Sequence, residues 1–113
     1  PHALARAARF GDGWMPMTSD PAKLAAPVRE LRRRFADAGR GEPRVAVFGA
    51  LGQDSEAAEL ERLDALAELG VDDFVQGGRY DDLDGFRRML DPLAERRDAY
   101  RARRGAEASG STP

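Results

Sequence analysis

The segment Arg44-Val45-Ala46-Val47-Phe48-Gly49 constrains the fold most. Its apolar residues are nearly continuous, which suits a strand covered on both faces, and such strands belong to parallel sheets. A parallel strand needs a long crossover on each side, usually a helix. The sequence supplies both. Upstream, Asp20-Pro21 reads as an N-cap followed by a first-turn proline. Leu24, Val28, Leu31, Phe35 and Ala38 then recur every three or four residues. Pro27 breaks into this stripe and is expected to kink the helix or mark its true start. Gly39 and Gly41 close the helix, and Pro43 prevents its resumption. Downstream, Asp54-Ser55 caps a helix whose inner stripe is Leu60, Leu63, Leu66 and Ala67. Gly70 is its C′ residue, and Val71 makes the hydrophobic contact of that cap.

The pattern repeats toward both ends. A helix carries Leu4, Ala7, Ala8 and Phe10 on one face and stops at Gly11. Trp14-Met15-Pro16-Met17 reads as a short buried strand ended by proline. Phe74-Val75-Gln76 reads as another, ended by Gly77-Gly78. Asp81 and Asp82 cap a final helix with Leu83, Phe86, Met89, Leu90, Leu93 and Tyr100 inside and a kink expected at Pro92. The tail 105–113, rich in glycine, serine and alanine, is expected to be disordered. The order α-β-α-β-α-β-α predicts a parallel sheet with right-handed crossovers, its strands near 13–16, 44–49 and 72–76. Two architectures fit: a small open doubly wound sheet, or a piece of a (β/α)8 barrel, which typically needs about 250 residues. Three strands are few for a free-standing parallel sheet, and the opening helix has no strand before it. The chain therefore reads as part of a longer protein.

Composition excludes several functions. With no cysteine and a single histidine, His2, there is neither a thiolate nor a multi-histidine metal site. No nucleophile stands at a recognisable spacing from a base, so no catalytic residue emerges. The net charge of -2 argues against a nucleic-acid binder. No apolar run is long enough to span a bilayer, and no signal peptide is expected, since no basic flank precedes a solid apolar stretch. The expected compartment is the cytoplasm, and the expected partners are a small-molecule substrate and a second copy of the chain.

Ala3-Leu4-Ala5-Arg6-Ala7-Ala8-Arg9-Phe10-Gly11-Asp12-Gly13-Trp14-Met15-Pro16 resembles the luciferase-like monooxygenase family, most closely its deazaflavin (coenzyme F420)-dependent oxidoreductases. Leu31-Arg32 with Ala38-Gly39-Arg40 is similar to a helix end of that family, and Leu69-Gly70-Val71-Asp72 to its turn into the last strand. The resemblance spans roughly residues 2–95. It implies the C-terminal portion of a (β/α)8 barrel over residues 1–104, with about three parallel strands and flanking helices. The implied activity of the parent is hydride transfer between reduced F420 and a small organic substrate. A flavin mononucleotide (FMN)-dependent monooxygenase is the sister possibility. A non-catalytic α/β fragment or interaction module is the third. In the family the N-terminal half supplies most ring-binding and catalytic side chains, so the 113-residue chain alone is expected to be inactive.

The candidate cofactor residues are His2 and Ala3, then Gly77, Gly78 and Arg79. The resemblance places the cofactor phosphate near the start of the first helix, where free N–H groups and the helix dipole favour an anion. Gly77-Gly78-Arg79 follows a strand and precedes a helix, so backbone amides and a guanidinium there suit a phosphate or carboxylate. A plain flexible turn is the alternative, since no Walker or dinucleotide spacing is present. Thr18 follows the first strand and is the substrate-loop candidate. Asp12-Gly13-Trp14 reads as barrel wall rather than pocket. Asp81, Asp82 and Asp84 read as helix caps rather than metal ligands. The arginines at 32–34, 96–97 and 101–104 read as solvated helix faces.

Overall fold

The computed structural model describes residues 2–110. It contains α1 (His2–Phe10), β1 (Gly13–Trp14), α2 (Pro21–Asp37), β2 (Arg44–Gly49), α3 (Glu56–Leu69), β3 (Asp73–Gln76) and α4 (Leu83–Gly110). The sheet order is β1-β2-β3. β1 pairs parallel to β2, with Gly13 opposite Arg44 and Trp14 opposite Val45. All three strands are parallel with helices flanking them, the pattern of a partial (β/α)8 barrel.

The chain divides into two compact units. One holds residues up to Gly49 together with Asp64–Val75; the other holds Ala50–Leu63 and the residues from Gln76 on.

The first unit carries the main core. Leu24, Val28, Leu31 and Phe35 of α2 pack with Val45 and Val47 of β2 and Leu66 of α3. Leu4, Ala7, Ala8, Trp14, Leu69, Val71 and Phe74 pack against this cluster. Local chemistry fixes the helix ends. The Asp20 carboxylate accepts from the Ala22 N–H at 3.0 Å, and Pro21 stands in the first turn. Replacing Asp20 with Ala should cost about 1 kcal/mol, read as a lower chemical-denaturation midpoint. Both α2 and α3 close with paired capping bonds: Gly39 N–H to Ala36 and Arg40 N–H to Phe35, then Gly70 N–H to Ala67 and Val71 N–H to Leu66. Gly39 and Gly70 take the left-handed conformation these caps require.

Several expectations need correction. α2 starts at Pro21 rather than at Pro27, where the Asp20 cap and a first-turn proline set it, and Pro27 lies inside the helix. The first strand is two residues long, not four. Pro16 is buried, but Met15 is half exposed and Met17 fully so. Pro16 has no N–H to give to a ladder, so pairing ends before it. Phe10 is 75 % exposed rather than inward, with the Arg9 guanidinium 4.9 Å from its ring centre. β2 is covered on one face only: Val45 and Val47 are buried, while Phe48 is 54 % exposed and Val75 of β3 is exposed as well. In a complete barrel the face bearing these residues turns to the packed interior, which explains the continuous apolar run.

In the second unit the tail expectation fails over 105–110. α4 continues to Gly110, and Arg103 and Arg104 reach Glu107 one turn on at 3.7 and 3.6 Å. Such pairs support a helix end. Residues 111–113 of the expected tail lie outside the described residues. α4 also continues through Pro92. Its intended inner residues Leu83 and Leu90 are exposed.

Candidate functional site

The loops that follow β2 and β3 meet α4 within the second unit and enclose a pocket of about 310 Å³. Leu51, Gly52 and Gln53 come from the first loop, Gln76, Gly77, Gly78 and Arg79 from the second. Gly85, Arg88, Met89 and Pro92 come from α4. The volume lies at the lower end of ligand pockets, about 300–1,000 Å³. The pocket's lining residues include two arginines and no aspartate or glutamate.

Each wall has a local cause. Gly52 sits at φ +93°, and a Cβ there would stand 2.6 Å from Cβ of Pro92. Only glycine therefore brings the first loop this close to α4. A Cβ on Gly78 would stand 2.5 Å from the Met89 sulfur. The second loop is tied down beyond Arg79, where the Tyr80 ring lies 4.9 Å from that of Phe86. Asp82 then caps α4, its carboxylate accepting from Gly85 N–H at 2.7 Å and its carbonyl from Phe86 N–H. Gln76 joins the two loops: its side-chain oxygen accepts from Leu51 N–H at 2.8 Å.

Behind the first loop lies a buried carboxylate. Glu59 on α3 is 1 % exposed. Its oxygens accept from the backbone N–H of Gly52 at 2.8 and 2.9 Å, of Gln53 at 3.2 Å and of Asp54 at 3.4 Å. The Arg96 guanidinium of α4 donates to the same carboxylate and also to the Asp54 carbonyl, at 3.2 Å. Burial pushes the Glu59 carboxyl up, but the Arg96 bond and the amides of Gly52, Asp54 and Gln53 outweigh it and hold the group below its ordinary range. The Arg96 guanidinium is raised, chiefly by its hydrogen bond to Glu59.

Of the residues singled out from the sequence, Gly77, Gly78 and Arg79 line the pocket together. His2 and Ala3 stand exposed in the first turn of α1, in the other unit. Thr18 is also in that unit; its hydroxyl accepts from the Asp20 N–H at 3.1 Å, just before α2. Asp84 makes a long contact to Arg87, 3.9 Å, on the surface. Sequence reasoning missed Gly52, Gln53 and Arg88, and it read Arg96 as a solvated face. It also missed Glu59, although a signal existed. Glu59 stands one turn before Leu63 and two before Leu66, at a position of the buried stripe where an unpaired charge is costly.

A family model described as luciferase-like monooxygenase matches residues 1–113. The chain belongs to the luciferase-like monooxygenase family. The match covers both units and includes the pocket-lining loops. No curated protein and no solved structure matches the chain. Membership explains the parallel strands, and it points to a flavin-type oxidoreductase or monooxygenase as the parent activity. Among the described residues no helix is long and apolar enough to cross a membrane.

Proposed function

We propose that this luciferase-like chain is the C-terminal part of an F420-dependent oxidoreductase barrel, and that its pocket holds the anionic part of the cofactor. The supporting observation is the lining itself. Arg79, Arg88 and four glycines, Gly52, Gly77, Gly78 and Gly85, line one concave site that follows the ends of two parallel strands. That is where (β/α)8 enzymes place their ligands. The residues present fit a phosphate or carboxylate: guanidinium groups bind such oxygens in a fork, and glycines let backbone approach closely. They do not form a wide apolar slot for a ring, so the ring lies elsewhere in the barrel. When bound, the cofactor supplies the hydride chemistry. The chain's own residues hold its charged end and fix its position. FMN shares the phosphate and is the sister reading.

Equilibrium dialysis of the 113-residue chain against F420 and against FMN tests this. Charge-assisted hydrogen bonds are worth roughly 1.5–3 kcal/mol each. Two or three of them do not offset the roughly 4–15 kcal/mol lost on immobilising a ligand. Binding by the chain alone should therefore be weak, in the millimolar range or beyond. Arg79→Ala and Arg88→Ala should each weaken it about tenfold further. Micromolar binding, or binding indifferent to both substitutions, would contradict the proposed site. Preference for F420 over FMN at equal concentration separates the two cofactor readings.

A further inference from the structure

The loop between β2 and α3 has no regular structure, yet side chains grip its backbone at every residue from Ala50 to Asp54. Arg62 donates to the Ala50 carbonyl at 3.2 Å. Gln76 holds Leu51 at both its N–H and its carbonyl, at 2.8 and 3.5 Å. Glu59 takes the N–H groups of Gly52, Gln53 and Asp54. Arg96 takes the Asp54 carbonyl. A loop that merely connects two elements does not need this. Gly52 and Gln53 also form one wall of the pocket.

We infer that Glu59 is a positioning residue of the pocket: its carboxylate gathers three successive loop amides, and Arg96 fixes the carboxylate, so that Gly52 and Gln53 hold their places in the wall. This rests on the reading that the pocket binds an anion. The chemistry requires a carboxylate. Four donors point at the two oxygens, and a carboxylate accepts at both while donating at neither. A glutamine of the same shape would turn an NH2 group toward donors. Over residues 52–54 the first loop then has no free amide to offer the ligand's anion. The amides of residues 52–54 are already taken by Glu59, which leaves Arg79, Arg88 and the Gly77-Gly78 backbone to receive it.

Glu59→Gln separates this role from packing, because volume is conserved and no cavity opens. In the full chain, hydrogen exchange at the Gly52, Gln53 and Asp54 amides should accelerate about tenfold or more. Exchange at Val45 and Val47 should stay unchanged. The dissociation constant for inorganic phosphate, followed by backbone chemical shifts, should rise about tenfold in step. Unchanged exchange at the three amides, or faster exchange with phosphate affinity intact, overturns the role. If Glu59→Gln does not fold, Arg96→Lys carries the same test. It keeps the charge but loses the guanidinium fork, so both readouts should move in the same direction, and an Arg96→Lys protein identical to the parent in both overturns the role. Phosphate affinity untouched by Arg79→Ala and Arg88→Ala together would instead remove the pocket reading, and with it any ligand role for Glu59, whatever the exchange shows.

Discussion

Arg96→Ala should destabilise the chain by about 3–5 kcal/mol. The value should lie toward the lower end, because three backbone amides remain on Glu59 after the guanidinium is gone. Breaking a buried pair by removing one member leaves the other charge desolvated and unmatched, and this is why the effect exceeds that of a surface ion pair, about 0–1 kcal/mol. Contrast Arg33 and Glu30 on the exposed part of α2, joined at 2.6 Å. Removing that pair should have little effect. A loss of 3 kcal/mol should lower the melting temperature by more than about 10 °C for a chain of this length. The acid limb carries a second signature. Glu59 is held below its ordinary range in the folded protein. Its stabilisation is therefore fully present above the unfolded carboxyl value, about 4.3, and is lost as pH falls through the lower folded value. Without Arg96 the main lowering contact disappears while the upward push of burial remains. The variant should lose stability less steeply with acid than the parent. Melting curves from pH 7 down to pH 3 check both points, and parallel curves for parent and variant would contradict this role of the pair.

Gly13→Ala should be the second severe substitution. A Cβ built on Gly13 lies 2.0 Å from the carbonyl oxygen of Arg44 and 2.8 Å from its carbon. Both atoms are backbone, so no rotamer relieves the clash. The φ of Gly13 is not positive, so the cause is the closeness of β1 to β2 rather than an unusual turn. β1 has only two residues, and separating it from β2 at Gly13 removes half of its register. Overpacking typically costs about 1–3 kcal/mol and occasionally more; this site should reach the upper end, with Trp14 released from the core edge. Trp14 is the chain's one tryptophan. A red-shifted emission in Gly13→Ala, together with a lower melting temperature, is the expected result. Unchanged emission and stability would mean that the two strands tolerate the extra carbon.

Much of this fold is legible in the sequence because its signals are local. Asp20-Pro21 starts α2 where a capping carboxylate and a proline together demand it. Gly70-Val71 ends α3 by the capping bonds that a glycine there predicts. The strand 44–49 has the bounds its apolar run suggests. What escaped depends on partners distant in sequence. Phe10 fits a helical stripe, but nothing in the spacing says that the neighbouring core ends before it. Gly105 looks like a helix stop, and only the arginine pairs to Glu107 show why α4 passes it. The site follows the same division. Gly77, Gly78 and Arg79 announce a turn after a strand, so they could be nominated. Arg88 and Gln53 join them only because α4 and the first loop fold onto the same pocket. Arg96 is an ordinary charged residue in the sequence, and only the fold brings it to Glu59 and the Asp54 carbonyl.

On the proposed function the ligand's anion sits at the loops after β2 and β3. A titration of the 15N-labelled chain with inorganic phosphate, followed amide by amide, tests it most directly. Saturable shifts are expected at Gly77, Gly78 and Arg79, with smaller ones at Gly52 and Gln53, all abolished when Arg79 and Arg88 are both replaced by Ala. Saturable shifts confined to His2 and Ala3 at the start of α1, with the amides of 77–79 unmoved, would contradict it.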